Sequence, residues 1–174
     1  KKLKMKILVI CAGDRSNYSI ALNSLKYLSK TNDIFTVCVL DKNKPIINFL
    51  KKKKIKYITK NFKNFSRKIN KNDFDWLLNI WGYKILKREF LNKFKNNLNL
   101  HPAYLPFNRG RDPYYFSIMN RTPLGICIHK MDETIDGGKY FIRKRFNLKF
   151  PYKAGKIFNI SLKNIKNLFI TNWI

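Results

Sequence analysis

The polar side chains best suited to chemistry stand at one strand exit. In Leu98-Asn99-Leu100-His101-Pro102, alternate residues of an extended chain point to opposite sides, so Asn99 and His101 share one face and the leucines take the other. Pro102 cannot donate to a ladder and ends the strand, leaving an amide and an imidazole at its exit. Two such donors side by side could hold a developing oxyanion, and an imidazole moves a proton near neutral pH. The plain alternative is a histidine that hydrogen-bonds structurally at a strand end. A second stretch, Gly13-Asp14-Arg15-Ser16-Asn17, follows an apolar run and opens a helical pattern. Its backbone donors and serine suit an anion, or serve simply as a helix cap. Asp136, before Gly137 and Gly138, reads by itself as a turn residue. His129, inside an apolar run, reads as structural support. No His, Cys and carboxylate cluster stands at ligand spacing, so no metal is expected.

The elements that must position these groups alternate. Apolar runs at Lys6–Cys11, Ile34–Leu40, Ile55–Ile58, Trp76–Trp81 and Leu98–Leu100 read as strands. Between them, helical spacing runs over Ser19–Ser29, Pro45–Lys52, Phe62–Ile69 and Lys87–Lys95. Near-continuous apolar strands separated by helices predict an α/β fold with a Rossmann-like, doubly wound, mostly parallel sheet covered on both faces. Beyond it, Pro113–Asn120 reads as helix, Leu124–Met131 and Lys139–Phe146 as strands, and Ala154–Ile170 as a closing amphipathic helix. The Lys run 51–54 reads as a solvated helix end. Neither a repeat nor a linker divides the chain, so residues 1–174 are expected to form a single domain. Its last segment stops inside an apolar pattern, which suggests truncation at the C-terminus.

The chain has 174 residues, 45% hydrophobic and 15% aromatic, too apolar for disorder. Its 37 Lys and Arg against 10 Asp and Glu give a formal charge of +27. Such a charge attracts polyanions. The joint abundance of Lys, Asn, Ile, Phe and Tyr is equally what an AT-rich coding sequence produces. Cys11, Cys38 and Cys127 sit in strand-like runs without CxxC spacing, which reads as buried free thiols in a reducing compartment. With neither a long apolar span nor a signal-peptide pattern, the expected location is cytoplasmic, with no membrane partner.

Two longer stretches extend the first constellation: NLHPAYLPFNRG from Asn99 to Gly110 and LGICIHKMDETIDGG from Leu124 to Gly138. Together they resemble the folate-dependent formyltransferase family, whose pattern is Asn-x-His, a Leu-Pro, a Gly turn and a later acidic loop ending in Ile-Asp-x-Gly. The resemblance makes Asn99, His101 and Asp136 the counterparts of the family's catalytic trio. It implies transfer of a formyl group from 10-formyltetrahydrofolate to a primary amine. On that reading Asn99 and a protonated His101 stabilise the oxyanion, by about 3 kcal/mol for a single well-placed donor. Asp136 takes the amine proton and keeps His101 charged. The segment after the fourth strand resembles the family's folate loop, which marks Tyr83, Lys84, Ile85 and Leu86, with Asp132, Glu133 and Thr134, as cofactor contacts.

The run Tyr104-Leu105-Pro106-Phe107-Asn108-Arg109-Gly110-Arg111-Asp112-Pro113 is similar to the group that formylates nucleotide-linked amino sugars. The resemblance then assigns Tyr104, Phe107, Asn108 and Arg109 to the substrate, with Gly13, Arg15, Ser16 and Asn17 as an anion-holding turn. Tyr114 and Tyr115 serve either substrate stacking or the core. A cis bond at Leu105-Pro106 and a homodimer are further expectations of the resemblance. Glycinamide ribonucleotide and methionyl-tRNA are the alternative acceptors. From other classes, an inactive relative stays open, as does a basic nucleic-acid-binding module, for which no recognised motif speaks.

Overall fold

The computed structural model describes residues 4–12, 18–148, 151 and 153–173. Its strands are β1 (Lys6–Cys11), β2 (Ile34–Val39), β3 (Tyr57–Ile58), β4 (Trp76–Ile80), β5 (Asn96–His101), β6 (Gly125–His129) and β7 (Tyr140–Arg145). The helices are α1 (Tyr18–Leu28), α2 (Lys44–Lys52), α3 (Phe62–Lys68), α4 (Arg88–Leu91), α5 (Pro113–Met119) and α6 (Ala154–Asn172). The strand order is β3-β2-β1-β4-β5-β6-β7. Chain contacts divide within β5 into two compact units, residues 1–98 and 99–174.

The first unit is the parallel part. β1 pairs in parallel with β2 on one side and β4 on the other, and β2 with β3. Ile7, Leu8, Val9, Ile10 and Cys11 are all fully buried, the mark of a strand covered on both faces. α2 begins at Asn43, whose side chain accepts from the Ile46 amide, with Pro45 in the first turn. It ends in exposed Lys51 and Lys52, with Lys53 as cap and Lys54 at φ 55°. Cations at that end complement the helix dipole, so the lysine run is a solvated helix end. α4 is shorter than expected: beyond Leu91 the chain leaves the helix in turn-like bonds, Lys93 N–H to Phe90 and Phe94 N–H to Leu91. There Lys93 Nζ donates to the Ser66 and Ile69 carbonyls at 2.9 and 2.7 Å, satisfying the end of α3.

The second unit is antiparallel. β5 pairs with β6 so that Asn99 lies opposite His129 and His101 opposite Cys127, and β6 pairs with β7. β6 can run close to its neighbour because Gly125 has no Cβ, which would collide with the Lys144 carbonyl. β7 is exposed and ends Arg143-Lys144-Arg145, charges that discourage further strand addition. α6 buries Ile157, Ser161, Ile165 and Phe169, one stripe at four-residue spacing, and packs on β6 and α5. The Tyr114 ring meets Phe158 of α6 at 5.1 Å, so half-buried Tyr114 packs on α6. Cys11, Cys38 and Cys127 are buried free thiols, and burial pushes Cys38 up to about 12. Among the described residues no helix is long and apolar enough to cross a membrane.

Ile165 is fully buried in the α6 stripe. Its replacement by Ala is expected to cost about 2–5 kcal/mol from lost transfer energy and the cavity left behind. Urea unfolding of the full chain measures this, and a change below about 1 kcal/mol would mean that α6 is not anchored by this stripe.

Candidate functional site

The second unit gathers its polar groups around one carboxylate. β5 ends with Asn99 and His101 on the same face, 8% and 5% exposed. Beyond β6, the Lys130 amide donates to the Lys139 carbonyl at 2.8 Å, closing an acidic loop. Gly138 makes the closure possible, since a Cβ there would meet the Lys130 carbonyl. Within the loop Asp136 adopts φ 47°, a region non-glycine residues visit rarely and Asp more readily than most. Its side chain is 13% exposed.

Each Asp136 oxygen faces two groups. Oδ1 accepts from Asn99 Nδ2 at 2.9 Å and lies 3.4 Å from His129 Nε2. Oδ2 accepts the Gly110 amide at 2.8 Å and lies 3.4 Å from His101 Nδ1. Burial alone would raise the Asp136 pKa. The His129 side chain, the charge of His101 and the Gly110 amide more than reverse it, holding the carboxyl below its ordinary 3.8.

The histidine protons follow from their partners, because carbonyls only accept. His129 Nδ1 donates to the Lys130 carbonyl at 2.9 Å, and its Nε2 lies 3.1 Å from Asn99 Nδ2 and 3.4 Å from Asp136 Oδ1. His101 stands between two acceptors, the Asn108 carbonyl 3.3 Å from Nε2 and Asp136 Oδ2 3.4 Å from Nδ1, so the ring donates to one of them when neutral and to both when charged. The expectation of a charged His101 is corrected here. Burial lowers its pKa below 6.5 and outweighs Asp136 and the Asn108 carbonyl, which act the other way.

The other expected residues sort by what they touch. Gly13, Arg15, Ser16 and Asn17 lie outside the described residues. Phe107, Arg109 and Tyr115 are exposed. Two expectations of substrate contact meet side chains already engaged. The Tyr104 ring lies under the Arg143 guanidinium at 4.7 Å. Asn108 Nδ2 donates to Ser117 Oγ at 2.7 Å and Thr122 Oγ1 at 2.6 Å, so it is turned into the fold. The Leu105-Pro106 bond is cis, and Arg143 Nη1 donates to the Leu105 carbonyl at 2.7 Å. In the acidic loop, Asp132 Oδ1 accepts from the Thr134 amide and hydroxyl at 2.9 and 2.6 Å. The Thr134 hydroxyl chiefly holds Asp132 below 3.8, and the Asp132 carboxylate closes its own turn. Glu133 is exposed.

In the first unit Tyr83 and Ile85 are exposed and Leu86 is buried. The Tyr83 hydroxyl donates to the Leu40 carbonyl at 3.1 Å, and Lys84 Nζ stands 5.6 Å from the Tyr83 ring. These side chains border a cavity of about 190 Å³ beyond β2 and β3. Arg143, Ser117 and Thr122 carried no signal in the sequence, since their roles need the loop's return path. Among the described residues no group of three or more His, Cys, Asp or Glu side chains could hold a metal ion.

The sign of the pH effect follows from the lowered His101 pKa. As pH falls through 6.5 the unfolded chain takes up a proton that the fold refuses, so stability is lost from there downward. The Asp136 contribution is present above 3.8 and is lost at still lower pH, as the folded carboxyl protonates. His101→Gln is therefore expected to show a smaller drop in urea midpoint than the native chain between about pH 7 and about pH 5. An equal drop in both would mean that His101 does not carry it.

The family model described as Formyl transferase matches residues 5–170. The methionyl-tRNA formyltransferase of Borreliella afzelii (strain PKo) is 34% identical over 152 residues, covering 77% of this chain and 47% of that protein. The dTDP-4-amino-4,6-dideoxyglucose formyltransferase of Mycobacterium tuberculosis (strain ATCC 25618 / H37Rv) is 30% identical over 61 residues, 35% of this chain and 26% of the relative. The crystal structure of a 4-N formyltransferase from Francisella tularensis superposes with a TM-score of 0.72 at 25% identity, covering 96% of this chain and 66% of that one. The chain spans less than half the length of these two curated relatives. A family match over residues 5–170, nearly all of the chain, means that it belongs to the formyl transferase family.

Proposed function

We propose that this chain transfers the formyl group of 10-formyltetrahydrofolate to the primary amine of a nucleotide-linked amino sugar, with residues 1–174 acting as one catalytic domain. The observation that carries the reading is the Asp136 cluster, with Asn99 on one carboxylate oxygen and His101 beside the other. Among the described residues, the backbone groups of residues 83–86 make no hydrogen bond to the rest of the chain. Unengaged peptide edges beside exposed Ile85 suit a flat, hydrogen-bonding ring system, so Tyr83 to Leu86 would hold the donor. The acidic loop 132–134 would do so through its backbone, since the Asp132 carboxylate is engaged. The donor supplies an activated formyl carbon.

The residues of the chain manage charge and protons. An amine adding to a carbonyl carbon gains positive charge and must lose a proton, while the carbonyl oxygen becomes anionic. The proton goes to His101 and Asp136, whose Nδ1 and Oδ2 lie 3.4 Å apart. A proton arriving there is held by both, and when the bond between the formyl carbon and the donor nitrogen breaks it would pass to that departing nitrogen. Once Asp136 is neutralised, Oδ1 is a weaker acceptor, and the Asn99 amide is released to the oxyanion. On the acceptor side, exposed Phe107 and Arg109 offer an aromatic face and a guanidinium fork suited to diphosphate oxygens. The residues of the Gly13–Asn17 turn are assigned to the same ligand. A second reading, with charged initiator tRNA as acceptor, is favoured by the first relative's name and its longer alignment.

The test incubates the full chain with 10-formyltetrahydrofolate and, separately, amino-sugar nucleotides, glycinamide ribonucleotide and charged initiator tRNA, with products read by mass spectrometry. A formylated sugar nucleotide is the expected product; formylation of the tRNA alone would replace this reading by the second. Asn99→Ala, His101→Ala and Asp136→Ala should each lower kcat roughly 100-fold or more in folded protein, and near-normal turnover in any one removes that residue's role. The acid limb of kcat/KM is expected below pH 6.5, because His101 works neutral. A limb above that value would mean that a different group titrates.

A further inference from the structure

The row of the sheet that holds His101 continues onto its edge strand. His101 lies opposite Cys127 of β6, and Cys127 opposite Arg143 of β7. Residues directly opposite one another share a face, so Arg143 rises from the side that bears Asn99 and His101. Lys144 takes the other side, where its Nζ donates to Asn164 of α6 at 3.4 Å. In a regular strand Tyr140 would point away from Arg143. The register slips between Ile128 and His129, which leaves Phe141 unpaired and sets Tyr140 opposite His129. An extra residue of this kind re-aims a side chain, and Tyr140 joins the arginine.

The Arg143 guanidinium stands over the Tyr104 and Tyr140 rings at 4.7 and 4.8 Å, while Nη1 donates to the Leu105 carbonyl at 2.7 Å. Tyr104 has room there because Gly125 lacks a Cβ, which would stand 2.9 Å from Tyr104 Cβ. The Phe107 amide donates to the Tyr104 carbonyl at 3.2 Å, so residues 104–107 form a closed turn. It is fixed by the fully buried Leu105 side chain and by the arginine on the Leu105 carbonyl, with Phe107 exposed at its exit.

We propose that Arg143 is a positioning residue for the acceptor: stacked on Tyr104 and Tyr140 and bonded to the Leu105 carbonyl, it clamps the turn 104–107 and so holds Phe107 in place for the acceptor. A guanidinium is planar, so it lies on ring faces and donates from its edge at once, which an ammonium on a flexible stem does not. The effect is confined to binding. Asn108 is anchored separately, with Nδ2 on Ser117 Oγ and Thr122 Oγ1 at 2.7 and 2.6 Å, so a loosened turn does not carry the Gly110 amide away from Asp136. The acceptor half of this inference rests on the amino-sugar reading above; the clamp itself does not.

The experiment compares Arg143→Met, Arg143→Lys and Tyr140→Leu with the native full chain. Amide hydrogen exchange followed by NMR reports the turn directly. In Arg143→Met the Phe107 amide is expected to exchange roughly 10-fold faster or more, while the Cys127 and Ile128 amides inside the sheet keep their protection. In steady-state assays the KM for the amino-sugar nucleotide should rise roughly 10-fold, with kcat and the donor KM within about twofold. Arg143→Lys keeps the charge and should fall between Arg143→Met and the native chain. Tyr140→Leu removes one ring from the sheet edge and carries the test if Arg143→Met does not fold. Unchanged exchange at Phe107 overturns the clamp even where KM rises, because Arg143 would then touch the acceptor itself. Faster exchange with an unchanged acceptor KM, or with equal losses in kcat and donor KM, overturns the acceptor half. A native chain that formylates no amino-sugar nucleotide sinks the activity reading instead, and the exchange comparison still decides the clamp.

Discussion

A single ionised carboxylate organises the second unit. Asp136 stands on an acidic loop, yet its oxygens engage a strand residue, Asn99, and a loop amide, Gly110, with one histidine of β5 and one of β6 beside them. Four segments that are remote along the chain are thereby tied at one point. The arrangement requires the charged form, since a protonated carboxyl would lose acceptor capacity toward both N–H donors. The same contacts that hold the loop in place also hold the carboxyl ionised, so architecture and reactivity rest on one set of hydrogen bonds.

That economy stands out against the composition. With 37 basic and 10 acidic residues, carboxylates are scarce, and several of them hold backbone amides. Asp33 accepts from the Met5 amide, Asp75 from Lys6, Asp73 from Asn70, Asp132 from Thr134 and Asp136 from Gly110. Half of the acids therefore fasten backbone N–H groups at strand starts and turns. Such charge-assisted bonds are stronger than exposed ion pairs, so the scarce acids sit where local geometry most needs them. The excess positive charge is left to solvent, where its mutual repulsion is screened by salt.

The buried histidines show why proximity to an acid does not settle protonation. Both rings have a nitrogen near Asp136, and at His101 that carboxylate favours the charged form. For His101, lost hydration weighs more than that attraction, and the ring is easier to keep neutral. A backbone carbonyl faces the far nitrogen of each ring, Lys130 at His129 and Asn108 at His101.

The parallel half was legible in the sequence because its strands are apolar on both faces, and a run such as Ile7–Cys11 admits few other states. The shared face of Asn99 and His101 was legible from the two-residue period of a strand, and the trio as a whole from its resemblance to a known motif pattern. Local reading could not reach the company these residues keep. His129 stands beside Asn99 only through the antiparallel β5–β6 register. Tyr104 and Asn108, read as ligand contacts, also meet Arg143 and the Ser117–Thr122 pair, which return from later segments. The protonation of His101 depends on burial, a sum over every neighbour. Residue type and spacing thus determined which groups could react, whereas tertiary packing decided their partners and their charge, because desolvation and hydrogen-bond direction arise only once distant segments meet.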